Sequence, residues 1–272
     1  MTRKPAIILL ALASSIFAIA CGRSFSEDEF PSRHVTIGDV TYGYRIFVPE
    51  NRKPGERLPV MLYLHGRYRR GDENQAQLRD LADVIRERPE NFPYIIVFPQ
   101  SRPEMHWSGS MMAQSLAALD QTVMEFDADD SRLFLAGYSM GGFGVWHVAI
   151  THPDKFAAVV SVAGGMAPID TSSDDDRSLL SPQTAAAAAS PDPHKAYTEM
   201  LGKMPVWIVH GAEDQSVPVE ASRKIVAALK AAGDADVNYV ELEGVGHDSV
   251  GQAFSDPRMG EWIMKQQKGL QK

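Results

Sequence analysis

The sequence predicts an α/β domain, a mostly parallel central sheet with helices on both faces. Three observations carry this: short apolar runs ended by turn residues, helix-like segments alternating with them, and a glycine-flanked serine at one strand-to-helix junction. Strands buried on both faces read as short continuous apolar runs. Their alternation with helices gives right-handed crossovers and hence parallel pairing.

Taken in order, Thr41 to Val48 alternates with period two, like an early half-buried strand. Pro59 to His65 and Tyr94 to Phe98 have the pattern of buried strands. Between them, Gln75 to Arg88 places Leu78, Leu81, Ala82 and Ile85 on one helical face. Met111 to Phe126 is a second expected helix. Next come the strand Arg132 to Ala136, a helix from Gly142 to Ile150, and the strands Ala157 to Val162 and Val206 to His210. A helix over Val219 to Ala232, the strand Val237 to Leu242 and a last helix from Val250 toward Gln267 complete the series. Residues 166–204 break the rhythm with the acidic run Asp174 to Asp176, an alanine run and the prolines Pro182, Pro191 and Pro193. They sit where such sheets often carry an insertion over the site, so they are a candidate lid, with a plain surface loop as the rival.

The chain has 272 residues, 44% hydrophobic and 23% charged, with a formal net charge of -8. That is an ordinary globular composition. It lacks the basic excess of a nucleic-acid partner, so none is expected. Arg3 and Lys4 precede an apolar stretch, Ala6 to Ala20, in the layout of a secretory signal and short for a membrane span. Ala18-Ile19-Ala20-Cys21-Gly22 resembles the lipobox of bacterial lipoproteins, with Ala18 where leucine is more typical. Residues 1–20 are therefore expected to be a signal peptide and Cys21 the lipidated residue, giving an exported protein anchored to a bacterial membrane. Residues 21–34 read as a tether and 35–270 as the folded domain. Cys21 is the sole cysteine, so no internal disulfide is available.

Gly137-Tyr138-Ser139-Met140-Gly141 reads G-x-S-x-G between a strand and a helix. A serine on so sharp a turn is thrown clear of the sheet with its hydroxyl exposed. An active serine needs a base, and the base an orienting acid. Catalytic groups in such sheets lie past the carboxyl ends of strands. Asp214 follows the strand ending at His210, and His247 follows the strand ending at Leu242. The chain order Ser139, Asp214, His247 is that of an α/β-hydrolase. Glu213 and Asp170 are rival acids; His106, His147, His152, His194 and His210 are rival bases, with His147 expected to be packed in its helix and His210 to be turn structure. The developing oxyanion needs preorganised donors. The N–H of Met140, next to the serine, is one candidate; the N–H of Arg67 is the other, with His65 and Gly66 shaping its turn.

The chain also resembles a known family. His65-Gly66 with Arg70 to Asn74, Pro99-Gln100 with Trp107, and Gly137 to Gly142 are similar to motifs of bacterial secreted α/β-hydrolases. So are His210 to Pro218, Gly246 to Ser249 and Ala253 to Pro257. These relatives are variously described as predicted peptidases, phospholipase/carboxylesterase-like and feruloyl-esterase-like enzymes. The resemblance spans about residues 40–267. It implies the α/β-hydrolase fold, a triad of Ser139, His247 and Asp214, a small ester substrate and no cofactor or metal. Arg67-Tyr68-Arg69 and Val250 depart from the family pattern and bear on substrate choice. Trp107, Tyr138 and Arg69 are expected to line the substrate pocket, with core packing the rival for Trp107. A cationic cluster at Arg67, Arg69 and Arg70 could recognise an acidic group, or be a solvated loop tip.

Other readings fit less well. Phe143 stands where a phosphate-binding loop needs lysine, and the G-x-G-x-x-G spacing fails around Gly142 and Gly144. His147 and His152 are five residues apart, on different helix faces, and no H-E-x-x-H occurs. Peptidase activity is the rival within hydrolases. Prolyl-oligopeptidase-type enzymes add a propeller domain for which this chain has no room, which favours esters. A lipid-anchored binding protein that lost activity is the rival outside them.

Overall fold

The structure is a computed structural model, and it describes residues 25–166, 182–233 and 236–269. Eight strands form one sheet in the order β1-β2-β4-β3-β5-β6-β7-β8. They are β1 (Ser32–Ile37), β2 (Val40–Phe47), β3 (Val60–Leu64), β4 (Ile95–Pro99), β5 (Leu133–Tyr138), β6 (Ala158–Val162), β7 (Val206–Gly211) and β8 (Val237–Leu242). β1 pairs antiparallel with β2, and β2 with β4; every pairing from β4 through β3 to β8 is parallel.

The apolar runs are strands because both of their faces are covered. Along β3, Val60, Leu62 and Leu64 enter one core while Met61 and Tyr63 enter the other. β5 divides in the same way, with Leu133 and Leu135 against Phe134 and Ala136. The first core is closed by α2 (Gly109–Phe126), α3 (Met140–Thr151), α5 (Pro193–Leu201) and α6 (Glu220–Ala231). The second is closed by α1 (Ala82–Glu87), α7 (Val250–Ser255) and α8 (Pro257–Ile263). On α2, Met111, Gln114, Ser115, Ala118, Leu119 and Thr122 are buried, the spacing of a single helical face.

Three expectations need correction. Residues 25–34 are not a tether. Phe30 is fully buried against Phe47 and Phe98, and Ser32 already opens β1, whose polar composition hides an edge strand. The expected helix over 75–88 is a 3-10 turn (Ala76–Asp80) followed by α1, because Leu81 leaves the helical region and Asp80 is turned inward. The expected final helix breaks at Asp256, as the residue before a proline must; Asp256 then caps α8 through the Arg258 N–H.

Of the candidate lid, residues 167–181 lie outside the described residues, as does the rival acid Asp170. The remainder includes α4 (Pro182–Ala188) and α5, with Tyr197, Leu201 and Met204 buried in the first core. Residues 1–24, including Cys21, are also outside the described part.

Candidate active site

Ser139 connects β5 to α3 at φ 54° and ψ -118°, a positive φ that an L residue adopts at a cost. The turn closes because the flanking positions lack side chains. A Cβ on Gly137 would meet the Gly141 backbone, and one on Gly141 would strike the Leu64 carbonyl oxygen. Gly141→Ala is therefore expected to lower Tm by several degrees and to displace Ser139. Overpacking against backbone costs about 1–3 kcal/mol; thermal unfolding of the variant checks this.

The structure brings Ser139, His247 and Asp214 together from the carboxyl ends of β5, β8 and β7. Asp214 is an acceptor, so His247 carries its proton on Nδ1 and donates it to Asp214 Oδ2 at 2.7 Å. That leaves Nε2 to accept from the Ser139 hydroxyl at 2.8 Å. Asp214 Oδ1 accepts the Ser216 and Val217 N–H groups at 2.8 and 2.9 Å. Burial works against ionising Asp214, but the His247 hydrogen bond and these two N–H groups prevail and hold its carboxyl below the usual range. Tyr138 lies beside the His247 ring and donates its hydroxyl to the His247 carbonyl at 3.2 Å, steadying that loop.

His210 is a part of this network that sequence reasoning took for turn structure. It is fully buried near the end of β7, with Nδ1 accepting from the Ser222 hydroxyl at 2.7 Å. Its Nε2 faces two acceptors, the Val217 carbonyl at 2.9 Å and Asp214 Oδ2 at 3.3 Å. Glu213, the rival acid, makes no hydrogen bond or ion pair with His247, whose Nδ1 is taken by Asp214. Among the rival histidines, His147 is buried in α3, and His106 lines the cavity over Ser139.

The loop after β3 approaches the serine from the other side. Gly66 packs against Tyr138 and Ser139, and its N–H is held by Asp80 Oδ2 at 3.1 Å. His65 accepts the Ser101 N–H on Nε2 at 2.9 Å, so it donates Nδ1–H to the Gly66 carbonyl at 2.7 Å. Trp107, expected in the pocket, is instead fully buried behind this loop, donating its indole N–H to the His65 carbonyl at 3.0 Å. The N–H groups of Arg67 and Met140 have no acceptor among the described residues. Both residues line a cavity of about 390 Å³ that also contains Ser139, His106, Phe143 and Val217. Tyr68, 90% exposed, extends beside it. Phe143 and Asp80 carried no site signal of their own, and Ser216 and Val217 only that of the motif from His210 to Pro218. Their places depend on which strands become neighbours.

Burial holds His65 at about 4, opposed by its hydrogen bond to Gly66. It also holds His147 at about 4, with the charge of His152 adding to the effect. Both stand below the ordinary 6.5, so the unfolded chain takes up protons that the fold refuses. Stability is full above pH 6.5 and falls as the pH drops toward 4, by about 2 kcal/mol per histidine at pH 5. Tm measured from pH 8 to pH 5 is expected to fall, and less steeply for His147→Gln.

A mostly parallel sheet that presents a serine on a strained turn, with a histidine and a buried aspartate at its carboxyl edge, defines an α/β-hydrolase. Residues 101–263 match the prolyl oligopeptidase family, and the chain belongs to it. A secreted protein of uncharacterized role from Arthroderma benhamiae is 27% identical over 219 residues, 76% of this chain and 23% of that one. Acetylxylan esterase A from Emericella nidulans is 24% identical over 172 residues, 56% of this chain and 54% of the relative. The chain thus spans about a quarter to about half the length of these relatives. A thermostable esterase of known structure superposes with a TM-score of 0.69 at 25% identity, over 88% of this chain and 64% of that one.

Proposed function

We propose that this protein is an exported carboxylic ester hydrolase acting through Ser139, His247 and Asp214. The observation that carries the reading is the unbroken relay from the Ser139 hydroxyl through His247 to the buried Asp214, at 2.8 and 2.7 Å. The esterase relatives support an ester as the bond attacked.

Ser139 Oγ adds to the ester carbonyl carbon as its proton passes to His247 Nε2. The N–H groups of Met140 and Arg67 receive the charge that develops on the carbonyl oxygen. His247 then protonates the departing alkoxide oxygen as the C–O bond breaks. Water, deprotonated by His247, attacks the acyl-enzyme and releases acid and free Ser139. Asp214 fixes the His247 tautomer throughout. The route calls on no cofactor.

Two further parts of the reading concern placement. Residues 1–20 act as the export signal, in keeping with a relative described as secreted. Cys21 carries the lipid that holds the domain at a bacterial membrane; a lipid-dependent mass shift lost in Cys21→Ser tests this. Peptide cleavage is the second reading, favoured by the name of the family. The deciding experiment compares kcat/KM for a short 4-nitrophenyl ester and for aminoacyl 4-nitroanilides. Esters are expected to be turned over faster by several orders of magnitude. Comparable or faster amide cleavage would make the protein a peptidase.

A further inference from the structure

A second cavity, of about 280 Å³, reaches Ser139 and His247 from beside Tyr138. Its lining also includes three arginines, Arg67, Arg69 and Arg79, and two acids, Asp80 and Asp248. The arginines are not equivalent. Arg69 donates Nε–H to Asp80 Oδ1 at 2.8 Å, and the Asp80 side chain is 1% exposed against 32% for Arg69. Asp80 is itself pinned by the Gly66 N–H and the Tyr63 hydroxyl. The two Nη groups of Arg69 have no acceptor among the described residues. The guanidinium is thus anchored from behind with its fork unused, a geometry that suits a carboxylate. The side chains of Arg67 and Arg79 likewise have no hydrogen bond or ion pair to a described residue. The 3-10 turn that brings Arg79 to this cavity is the one that turns Asp80 inward.

We propose that this second cavity binds a carboxylate carried by the substrate, with the Arg69 fork as the direct ligand and Arg79 and Arg67 as supporting charges. Asp80 and Asp248 leave a surplus of one positive charge on the wall, which suits a monoanion better than a dianion. The preferred substrate is then an ester bearing a free acid a short distance from the scissile bond. The proposal rests on the ester-hydrolase reading of Ser139 and adds what that reading leaves open, the chemical class of the substrate.

The test uses two matched pairs, because the acid could lie on either side of the ester. 4-Carboxyphenyl acetate against 4-methylphenyl acetate places it on the alcohol; 4-nitrophenyl hemisuccinate against 4-nitrophenyl pentanoate places it on the acyl group. Intrinsic reactivity cancels when the anionic-to-neutral ratio of kcat/KM is compared between proteins. In one pair this ratio is expected to fall by about tenfold or more in Arg79→Glu, mainly through KM, and to shrink with added salt. Arg69→Lys keeps a partner for Asp80 but loses the fork, and is expected to lower the same ratio at unchanged Tm. Ratios unaffected by both substitutions in both pairs would overturn the proposal. Calorimetric titration of Ser139→Ala with the same esters separates the two levels of the argument. If the wild-type protein hydrolyses none of them, the hydrolase reading fails, and the binding ratio still decides the carboxylate site. Equal binding of anionic and neutral members would overturn the site even with hydrolysis intact.

Discussion

Ser139→Ala is expected to lower hydrolysis of a short 4-nitrophenyl ester by about four to six orders of magnitude while leaving the fold in place. In the proposed mechanism the Oγ atom forms the acyl bond, and no other described hydroxyl lies on His247 Nε2. Substrate binding and the Met140 and Arg67 N–H groups survive the change, so a residual rate above that in water is expected. Among the described residues the hydroxyl makes a single hydrogen bond, to His247, so its loss costs about 1 kcal/mol and Tm moves little. Steady-state kinetics with a melting curve on the same preparation check both halves.

Asp214→Asn is expected to reduce kcat by about three to four orders of magnitude, again with the fold intact. The reason lies in which oxygen is already committed. Oδ1 of Asp214 accepts two backbone N–H groups, from Ser216 and Val217. An asparagine would keep its carbonyl oxygen there and turn its NH₂ toward His247. The imidazole would then accept on Nδ1 and carry its proton on Nε2, pointing at Ser139. That tautomer cannot take the serine's proton. The same NH₂ would also face the Nε2–H of buried His210, which now has Asp214 Oδ2 within 3.3 Å. Because the Asp214 carboxyl is held below the usual range, wild-type activity should be insensitive to its protonation near neutral pH. A pH–rate profile for both proteins tests the argument: the variant should stay slow at every pH.

The three side chains of the proposed triad could be picked out in the sequence because each lies shortly past a strand, and strand runs are strong local signals. Ser139, Asp214 and His247 needed no long-range information beyond sheet order. Trp107 misled because its position after a strand end suits a pocket as well as a core. The structure puts it under the His65 carbonyl, where it supports the loop instead of touching substrate space. Asp80 could not be found at all. Its sequence neighbourhood reads as an ordinary amphipathic helix, and its role arises when the 3-10 turn meets the loop after β3. His210 was visible as a strand-end residue, but its approach to Asp214 depends on how the turn through Val217 folds back. β1 was missed for a simpler reason. An edge strand with one polar face lacks the apolar run that marks the central strands.

The proposed esterase activity depends above all on Ser139 as the nucleophile. Its most direct test treats the wild-type protein with a fluorophosphonate and maps the adduct by mass spectrometry while ester hydrolysis is followed. The predicted result is one adduct per chain, on the peptide containing Ser139, formed in step with loss of activity and absent from Ser139→Ala. An inhibiting adduct on another residue, or ester hydrolysis that persists with Ser139 fully labelled, would contradict it.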